Sequence, residues 1–318
     1  MHMTTGFLLT VIGVLIVLII TAAGLTWLER RLLALWQDRY GPNRVGPFGI
    51  FQAAADLIKI ITKEDWIPPT AEKAIFVIAP AAIVATVLMS FAVIPFAPDI
   101  VIADLNIGLL FFLGMSSLGA YSLALGGWSS NNKYALLGGL RGVAQMLSYE
   151  VFMGLSLMGV VMLAGSFDLV KIVEAQRDIW FCFPQAIGLI VFFTAGVAET
   201  RRLPFDLPEA EAELIAGYHT EYSGMKFGLF SMGEYLGMTL ISALTTTLFF
   251  GGWMGPFLPP LLWFILKAFF FICLFILLRA SLPRPRFDQL ISFAWKIMLP
   301  LSLLNLLVTG GILLLRSS

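Results

Sequence analysis

Long apolar runs alternate with charged connections along the whole chain, and this alternation is its dominant pattern. Each run is long enough, or nearly so, to cross the roughly 30 Å hydrocarbon layer of a bilayer as a helix. The pattern therefore predicts an all-α integral membrane protein with eight transmembrane helices. The eight runs cover approximately residues 5–28, 74–96, 105–125, 144–164, 181–198, 235–253, 261–278 and 293–315.

The composition agrees with a membrane protein. Of the 318 residues, 59% are apolar and only 13% are charged, whereas about a quarter of the residues of a soluble domain are charged. The net charge of zero gives no indication of nucleic-acid binding. The two cysteines, Cys182 and Cys273, lie far apart and are too few for an iron–sulfur cluster or a structural zinc site. No nucleotide or metal motif is present, so no metal and no covalently bound cofactor are expected on this chain.

The basic residues predict how the helices are oriented. Of the 20 Lys and Arg, 15 fall in the first, third, fifth and seventh connections. Positively charged connections tend to stay in the cytoplasm, so both termini are expected on the outer, periplasmic side. The cytoplasmic connections 29–73 and 199–233 are also long, which indicates a docking partner there, with plain solvated loops as the alternative. No linker and no repeat divides the chain, so residues 1–318 are predicted to form a single transmembrane domain.

One cytoplasmic connection contains a short amphipathic pattern. The stretch "GIFQAAADLIKIITKED", residues 49–65, places Ile50, Leu57, Ile58 and Ile61 on one side of a helix. Such a helix lies in the membrane interface or packs on neighbouring spans, and the sequence leaves both interpretations open.

The stretch "ETRRLPFDLPEAEAELIAGYHTEYSGMKF" concentrates acid in an otherwise oily chain. Its six carboxylates are Glu199, Asp206, Glu209, Glu211, Glu213 and Glu221. Asp206 followed by Glu209 predicts the start of a helix, and Gly217 is suited to ending it. Helix-start chemistry accounts for Asp206, Glu209 and Glu211. It does not account for Glu199, Glu213 or Glu221. Apolar residues run through the stretch, so proton handling or ligand binding competes with the interpretation as a solvated acidic loop.

Two charged residues fall inside predicted spans. Glu150 lies in the fourth run and Lys267 in the seventh. A charge at the centre of a membrane helix costs about 2.5–3.5 kcal/mol, so both side chains are expected to face the protein interior. Glu150 is then a proton-handling group, or a structural carboxylate held by Arg141 or a hydroxyl. Lys267 needs an acceptor or a wet cavity, and an intramembrane ion pair is the structural alternative. Glu234 opens the sixth run at the membrane edge.

Four segments carry a resemblance to a known family. They are "ERRLLALWQDRYGPNRVGPFGIFQAAADLIKIITKED", "GGLRGVAQMLSYEV", "AETRRLPFDLPEAEAELIAGYHTEYSGMKFGLFSMGEY" and "RASLPRPRFDQLISFAWKIMLPLSLLN". Together they resemble the membrane subunit of respiratory complex I (NADH:quinone oxidoreductase) that lies under the peripheral arm. The resemblance covers nearly the whole chain, and the third segment is its most specific part.

The resemblance implies a function that composition does not show. It implies a chamber for ubiquinone or menaquinone, shared with peripheral-arm subunits on the cytoplasmic face, in a bacterial inner membrane. It also implies a proton path towards antiporter-like membrane subunits, while partner subunits carry the NADH site, FMN and iron–sulfur clusters. No residue of this chain is catalytic by itself. The implied chamber and docking residues are Glu29, Arg30, Asp56, Arg201, Arg202 and Asp206, and the implied acidic path comprises Glu199, Glu209, Glu211, Glu213, Glu221, Glu150 and Glu234.

Three alternatives belong to other classes. The membrane subunit of energy-converting hydrogenases shares the pattern "PFDLPEAEAEL" but uses no quinone. A stand-alone ion transporter is disfavoured because no internal repeat is visible. A purely structural anchor predicts that replacing Glu213 or Glu150 by Gln leaves turnover unchanged.

Overall fold

Helices form all of the regular structure in the part of the chain described by the computed structural model. It describes the backbone of residues 2–98, 100–209 and 211–317 and the side chains of residues 8–98, 100–209 and 213–316. The helices are α1 (His2–Trp36), α2 (Gln52–Thr62), α3 (Lys73–Phe91), α4 (Gly108–Ser129), α5 (Lys133–Ala164), α6 (Leu169–Glu174), α7 (Ala186–Glu199), α8 (Glu211–Leu214), α9 (Gly224–Phe249), α10 (Pro260–Ser281), α11 (Phe287–Phe293) and α12 (Leu299–Ser317). A π-helical turn, Ala294–Met298, joins α11 to α12.

Within the described residues, seven helical segments are long and apolar enough to cross a membrane, so the chain is a multi-pass membrane protein. They are α1, α3, α4, α5, α9, α10 and the continuous segment Phe287–Arg316. The remaining apolar run, predicted at residues 181–198, forms the 14-residue helix α7, which is about 21 Å long at 1.5 Å per residue. Residues 181–185 form turns instead, because the residue before Pro184 is disfavoured in the helical conformation. Eight spans stay a prediction.

Several helices extend beyond the apolar runs into charged sequence. α1 continues to Trp36, whereas α5 and α9 begin at Lys133 and Gly224, well before the predicted starts at residues 144 and 235. A hydropathy pattern detects only the part of a helix that faces lipid. The helix itself continues into charged sequence where the charged side chains have partners in the fold. Glu29, Arg141 and Glu234 are therefore all helical residues.

Glycine lets α4 and α5 pack closely. A β-carbon on Gly127 would lie 2.5 Å from the carbonyl oxygen of Ala135, and one on Gly139 would lie 2.9 Å from that of Leu123. Small residues of this kind allow helix backbones to approach one another in a membrane, where the surrounding lipid is as apolar as the helices. α7 packs against α5, α9 and α12, so its C-terminal end, Glu199, lies inside the bundle.

The amphipathic helix predicted at residues 49–65 is present as α2. None of its residues is buried. Leu57, Ile58 and Ile61 are 49%, 61% and 58% exposed, so this apolar side does not pack on neighbouring spans. Of the two interpretations, the structure favours a helix whose apolar face is available to the membrane interface or a partner.

The helix predicted to begin at Asp206 and end at Gly217 is wrong in its extent. Residues 207–209 form turns, and α8 contains only Glu211–Leu214. Gly217 instead begins a 3-10 turn, Gly217–His219, with φ of +58°. A β-carbon there would lie 1.7 Å from the carbonyl oxygen of Pro208. The chain folds back on itself at this glycine, and this compact turn replaces a longer helix.

Candidate functional site

A cavity of about 650 Å³ lies between α1, α2, α9 and residues 216–223. Most of its lining is apolar, and its ionisable side chains are Arg30, Asp56, Lys59, Lys63, His219, Tyr222 and Tyr235. Arg30 Nη1 lies 2.6 Å from Asp56 Oδ2, which joins α1 to α2 across the cavity wall. Gln52 donates to the other carboxylate oxygen of Asp56 at 3.1 Å. Of the six predicted chamber and docking residues, Arg30 and Asp56 therefore line the cavity.

Glu29 and Arg202 form a buried ionic cluster with Arg279. Arg202 Nη1 donates to both carboxylate oxygens of Glu29, at 3.1 and 2.9 Å, and Arg279 also donates to Glu29. Glu29 is only 3% exposed, and the Arg202 guanidinium lies 4.1 Å from the centre of the Tyr235 ring. This cluster fastens α1 and α10 to the segment after α7. Neither Glu29 nor Arg202 lines the cavity.

Arg201 is the buried cation at the centre of the acidic residues. Its Nη1 donates to the Tyr218 hydroxyl at 3.0 Å, and that hydroxyl lies 3.2 Å from Glu234 Oε1. Burial raises the pKa of Tyr218 well above its usual 10, so the hydroxyl stays protonated and donates to Glu234. Arg201 is 4% exposed and has φ of +54°, an uncommon conformation for a residue with a side chain. The fold thus holds this guanidinium in place at some conformational cost.

Glu209 connects the buried acids to the cavity. Its carboxyl forms a hydrogen bond with Glu234, and its Oε1 lies 3.6 Å from His219 Nδ1. Burial, followed by the charge of Asp206, raises the pKa of Glu209 from 4.5 to about 7. Since such a group exchanges its proton near neutral pH, Glu209 is chemically suited to taking up and releasing protons.

Glu199 and Glu150 extend the acidic residues into the membrane part of the bundle. Ser116 donates to Glu199 at 2.6 Å, and the adjacent Ser117 donates to Glu150. A second cavity of about 50 Å³ lies beside Glu199 and Arg201, large enough for water. The Glu199 Oε2 atom is buried and has no hydrogen-bond partner in the described part of the chain. Glu150 is thus held by a hydroxyl, one of its two predicted structural partners, rather than by Arg141.

Glu213 and Glu221 lie outside this buried group, and Asp206 lies at its edge, where its charge acts on Glu209. Glu213, which is half exposed, pairs with Arg141 at 2.5 Å, and Glu221 accepts a hydrogen bond from Asn132 at 2.6 Å. Arg284 Nη2 lies 4.0 Å from Asp206 Oδ2 and also donates to the Asp206 carbonyl. The side chain of Glu211, the remaining predicted acid, lies outside the described residues. The structure therefore separates the acidic stretch into buried and peripheral members.

The intramembrane ion pair considered for Lys267 is wrong for the described part of the chain. Its ammonium donates to the carbonyl oxygens of Phe250, Gly252 and Met254 at 2.7, 3.1 and 2.7 Å. These carbonyls follow the C-terminus of α9, where backbone acceptors have no helical partner. The ammonium also lies 4.5 Å from the centre of the Trp180 ring. Arg141, the other cation considered for an ion pair within the membrane, pairs with Glu213 rather than with Glu150.

Sequence reasoning missed several residues that complete the site. Arg279, Tyr218 and the serine pair Ser116–Ser117 each contact a predicted acid. The signal for the serines was two adjacent hydroxyls inside an apolar span, where each needs a partner. Arg279 and Tyr218 carried no comparable signal, because their partners lie far away in the sequence.

Together these features define a helical multi-pass membrane protein in which buried ionisable residues lead inward from a ligand-sized cavity. Similarity to known proteins makes this class more specific. The sequence model of the family described as NADH dehydrogenase matches residues 9–310. The chain is 62% identical over 311 residues to a subunit of the NADH-quinone oxidoreductase of Methylococcus capsulatus, covering 98% of each chain. This chain therefore belongs to the NADH dehydrogenase family, and the resemblance to the complex I membrane subunit is confirmed.

Proposed function

We propose that this chain, as a subunit of an NADH:quinone oxidoreductase, forms part of the quinone chamber and begins the proton path that leads from it. The observation that carries the proposal is the cavity of about 650 Å³ with His219 in its wall and Glu209 directly behind. Ligand cavities in proteins measure roughly 300–1,000 Å³ and are mostly apolar with a few polar groups. An apolar quinone with two polar oxygens fits that description.

The chemistry of quinone reduction connects the two parts of the site. Reduction to the quinol consumes two electrons and two protons, and the electrons arrive through partner subunits that hold NADH, FMN and iron–sulfur clusters. This chain contributes charge and protons. A negative charge that develops in the cavity lies near the Glu209–Glu234 pair, and like charges disfavour ionisation of a carboxyl. A redox event in the cavity thereby changes the protonation of the buried acids.

The buried acids form a series that runs from the large cavity into the membrane part of the helix bundle. From Glu209 the polar contacts continue through Glu234 and Tyr218 to Arg201, and Glu199 lies beside Arg201 at the small cavity. The charges of Glu199 and Glu150 interact. We infer that this series carries protons, or their electrostatic influence, towards antiporter-like membrane subunits.

Peripheral-arm partners are proposed on the face that carries α2. Tyr40, Phe48 and Trp66 in the same connection are 89%, 66% and 55% exposed. Large exposed apolar groups near charged residues are typical of interaction surfaces. The excess of Lys and Arg on this side supports a cytoplasmic orientation in a bacterial inner membrane, with both termini outside.

A photoreactive quinone analogue tests the chamber. In the assembled complex it should label peptides of α1, α2 or residues 216–235, and an excess of ordinary quinone should prevent the labelling. The periplasmic-side segment Phe250–Met254 serves as an internal control that should stay unlabelled. Competed labelling that avoids all of the cavity-lining segments would contradict the proposed chamber.

A further inference from the structure

His219 occupies the boundary between the large cavity and the buried acids. It ends the 3-10 turn Gly217–His219 and lines the cavity, while its side chain is only 13% exposed. The ring is held edge-on between Tyr218 and Phe227, with ring centres 4.9 and 5.3 Å away. Its Nδ1 lies 3.6 Å from Glu209 Oε1. The imidazole therefore faces a ligand space on one side and the partly buried carboxyl of Glu209 on the other.

The other ionisable groups in the cavity wall have different contacts. They are Arg30, Asp56, Lys59, Lys63, Tyr222 and Tyr235. Asp56 pairs with Arg30 at 2.6 Å and with Lys59 at 3.8 Å. The Tyr222 hydroxyl lies within 3.4 Å of Ser129 and of the Gly126 carbonyl, and Lys63 belongs to the exposed end of α2. Among these described groups, His219 has the contact with the buried acids.

Tyr235 is the nearest rival for this position. It lines the cavity and its ring packs against the Arg202 guanidinium, 4.1 Å from the ring centre. Arg202 in turn pairs with Glu29, and this ion pair connects the segment after α7 to α1. A tyrosine hydroxyl also exchanges its proton near pH 10, whereas an imidazole does so near neutral pH. His219 is therefore the better-placed and chemically better-suited group.

We propose that His219 transfers protons between a ligand in the cavity and the Glu209–Glu234 pair. The inference rests on the proposed function, in which that ligand is a quinone. One proton leaves the imidazolium for an oxygen of the reduced ligand, and the carboxyl pair then returns one proton to the imidazole. The cavity gains one proton, the pair loses one, and His219 ends as it began. Histidine is suited to this because its charge changes between roughly pH 5 and 8.

The distance of 3.6 Å between His219 Nδ1 and Glu209 Oε1 is compatible with such a transfer. Hydrogen bonds used in catalysis are often long in structures without ligand and shorten when the substrate binds. A small rotation of the imidazole, or one water molecule, closes the gap. The Tyr218 and Phe227 rings restrict the imidazole to a narrow range of positions. The imidazole therefore stays between the cavity and the Glu209 carboxyl.

The replacement His219→Asn tests the proposal in the assembled complex. Asparagine keeps a polar side chain but does not titrate in this range. We expect quinone reduction to fall by roughly 10²-fold, the low end of what a positioned general acid contributes. The pH profile of quinone reduction should change, because one of the two groups on this route that titrate near neutral pH, the imidazole and the Glu209 carboxyl, is removed. NADH oxidation with an artificial acceptor in the peripheral arm should continue, which shows that the complex is assembled.

A second variant separates proton transfer from packing. His219→Ala opens space beside the cavity, and added imidazole should restore part of the quinone reductase activity. A methylated imidazole that is too bulky for the space serves as the matched control and should restore less. A structural role predicts no rescue and an unchanged pH profile. Wild-type quinone turnover and pH dependence in His219→Asn, or loss without rescue in His219→Ala, would overturn the proposal.

Quinone labelling distinguishes this inference from the proposed chamber. If the photoreactive quinone labels the cavity but both His219 variants behave like wild type, the chamber stands and the role of His219 is wrong. If no quinone enters the cavity, the chamber itself is wrong, and a changed pH profile in His219→Asn would then reflect another ligand.

Discussion

The titration of Glu209 follows directly from its surroundings. Burial, followed by the charge of Asp206, raises the pKa of this carboxyl from 4.5 to about 7. A group with that pKa is roughly nine-tenths protonated at pH 6 and roughly one-tenth protonated at pH 8. The replacement Glu209→Gln keeps the size of the side chain and removes its titration, so the difference between the two proteins reports this proton together with its effect on the neighbouring Glu234.

The same shift predicts how stability depends on pH. Because the pKa of Glu209 is higher in the folded chain than in the unfolded chain, its ionisation costs folding free energy. The stabilisation that the protonated Glu209 carboxyl gives to the folded chain is fully present below about pH 4.5. It is lost as the pH rises through about 7. Between pH 6 and pH 8 the loss amounts to about 1.4 kcal/mol. Wild type should lose that much more stability over this interval than Glu209→Gln.

Infrared difference spectroscopy measures the proton directly. Wild type should show protonated-carboxyl absorption that decreases with a midpoint near pH 7. The change should be smaller in Glu209→Gln, because one of the two hydrogen-bonded carboxyls, Glu209 and Glu234, is missing. Glu174→Gln, the same replacement at an exposed position on α6, should keep the change seen in wild type. A midpoint below pH 5, or a change in Glu209→Gln equal to that of wild type, would refute the account of this carboxyl.

Three further predictions concern the surrounding residues. Glu213 and Glu221 lie outside the buried group, but the family resemblance implies that they belong to the acidic path. Glu213→Gln and Glu221→Gln should therefore each lower quinone reduction and coupled pumping while NADH oxidation by an artificial acceptor persists, and normal pumping in both would remove these acids from the path. Glu29→Gln should destabilise the subunit by about 3–5 kcal/mol, because it leaves buried arginines without their carboxylate, and complex assembly on native gels checks this. Gly217→Ala should destabilise it by at least about 1–3 kcal/mol, since a β-carbon there would lie 1.7 Å from the Pro208 carbonyl oxygen; assembly equal to wild type would contradict the tight turn.

Hydropathy predicted most of the fold, because a membrane span must satisfy its backbone internally and cover itself with apolar groups. Seven of the eight runs became helices of sufficient length, and the amphipathic pattern at α2 was confirmed. Hydropathy did not predict that α5 and α9 extend far into charged sequence. Those extensions depend on tertiary partners, such as Glu213 for Arg141.

The acidic stretch shows where local sequence reasoning fails. The capping pattern at Asp206 and Glu209 favoured a helix, but the turn at Gly217 brings the chain back onto Pro208 and leaves only α8. Spacing along the sequence also divided the six acids only by whether helix-start chemistry explains them. Burial divides them, because only contacts with distant residues, such as Ser116 for Glu199, determine which carboxyl is enclosed. The Lys267 ammonium likewise donates to backbone carbonyl oxygens rather than to a carboxylate.

The connection between the cavity and the buried acids is the central claim, and Glu234 tests it most directly. Glu234 accepts a hydrogen bond from Tyr218 and shares another with Glu209. The replacement Glu234→Gln therefore retains the shape of the site but removes one exchangeable proton. The measurement is the number of protons pumped per electron in the assembled complex, with Glu174→Gln as the control. We predict that pumping and quinone reduction fall in Glu234→Gln alone, while NADH oxidation by an artificial acceptor continues. Wild-type turnover with a wild-type ratio of protons to electrons would contradict the account.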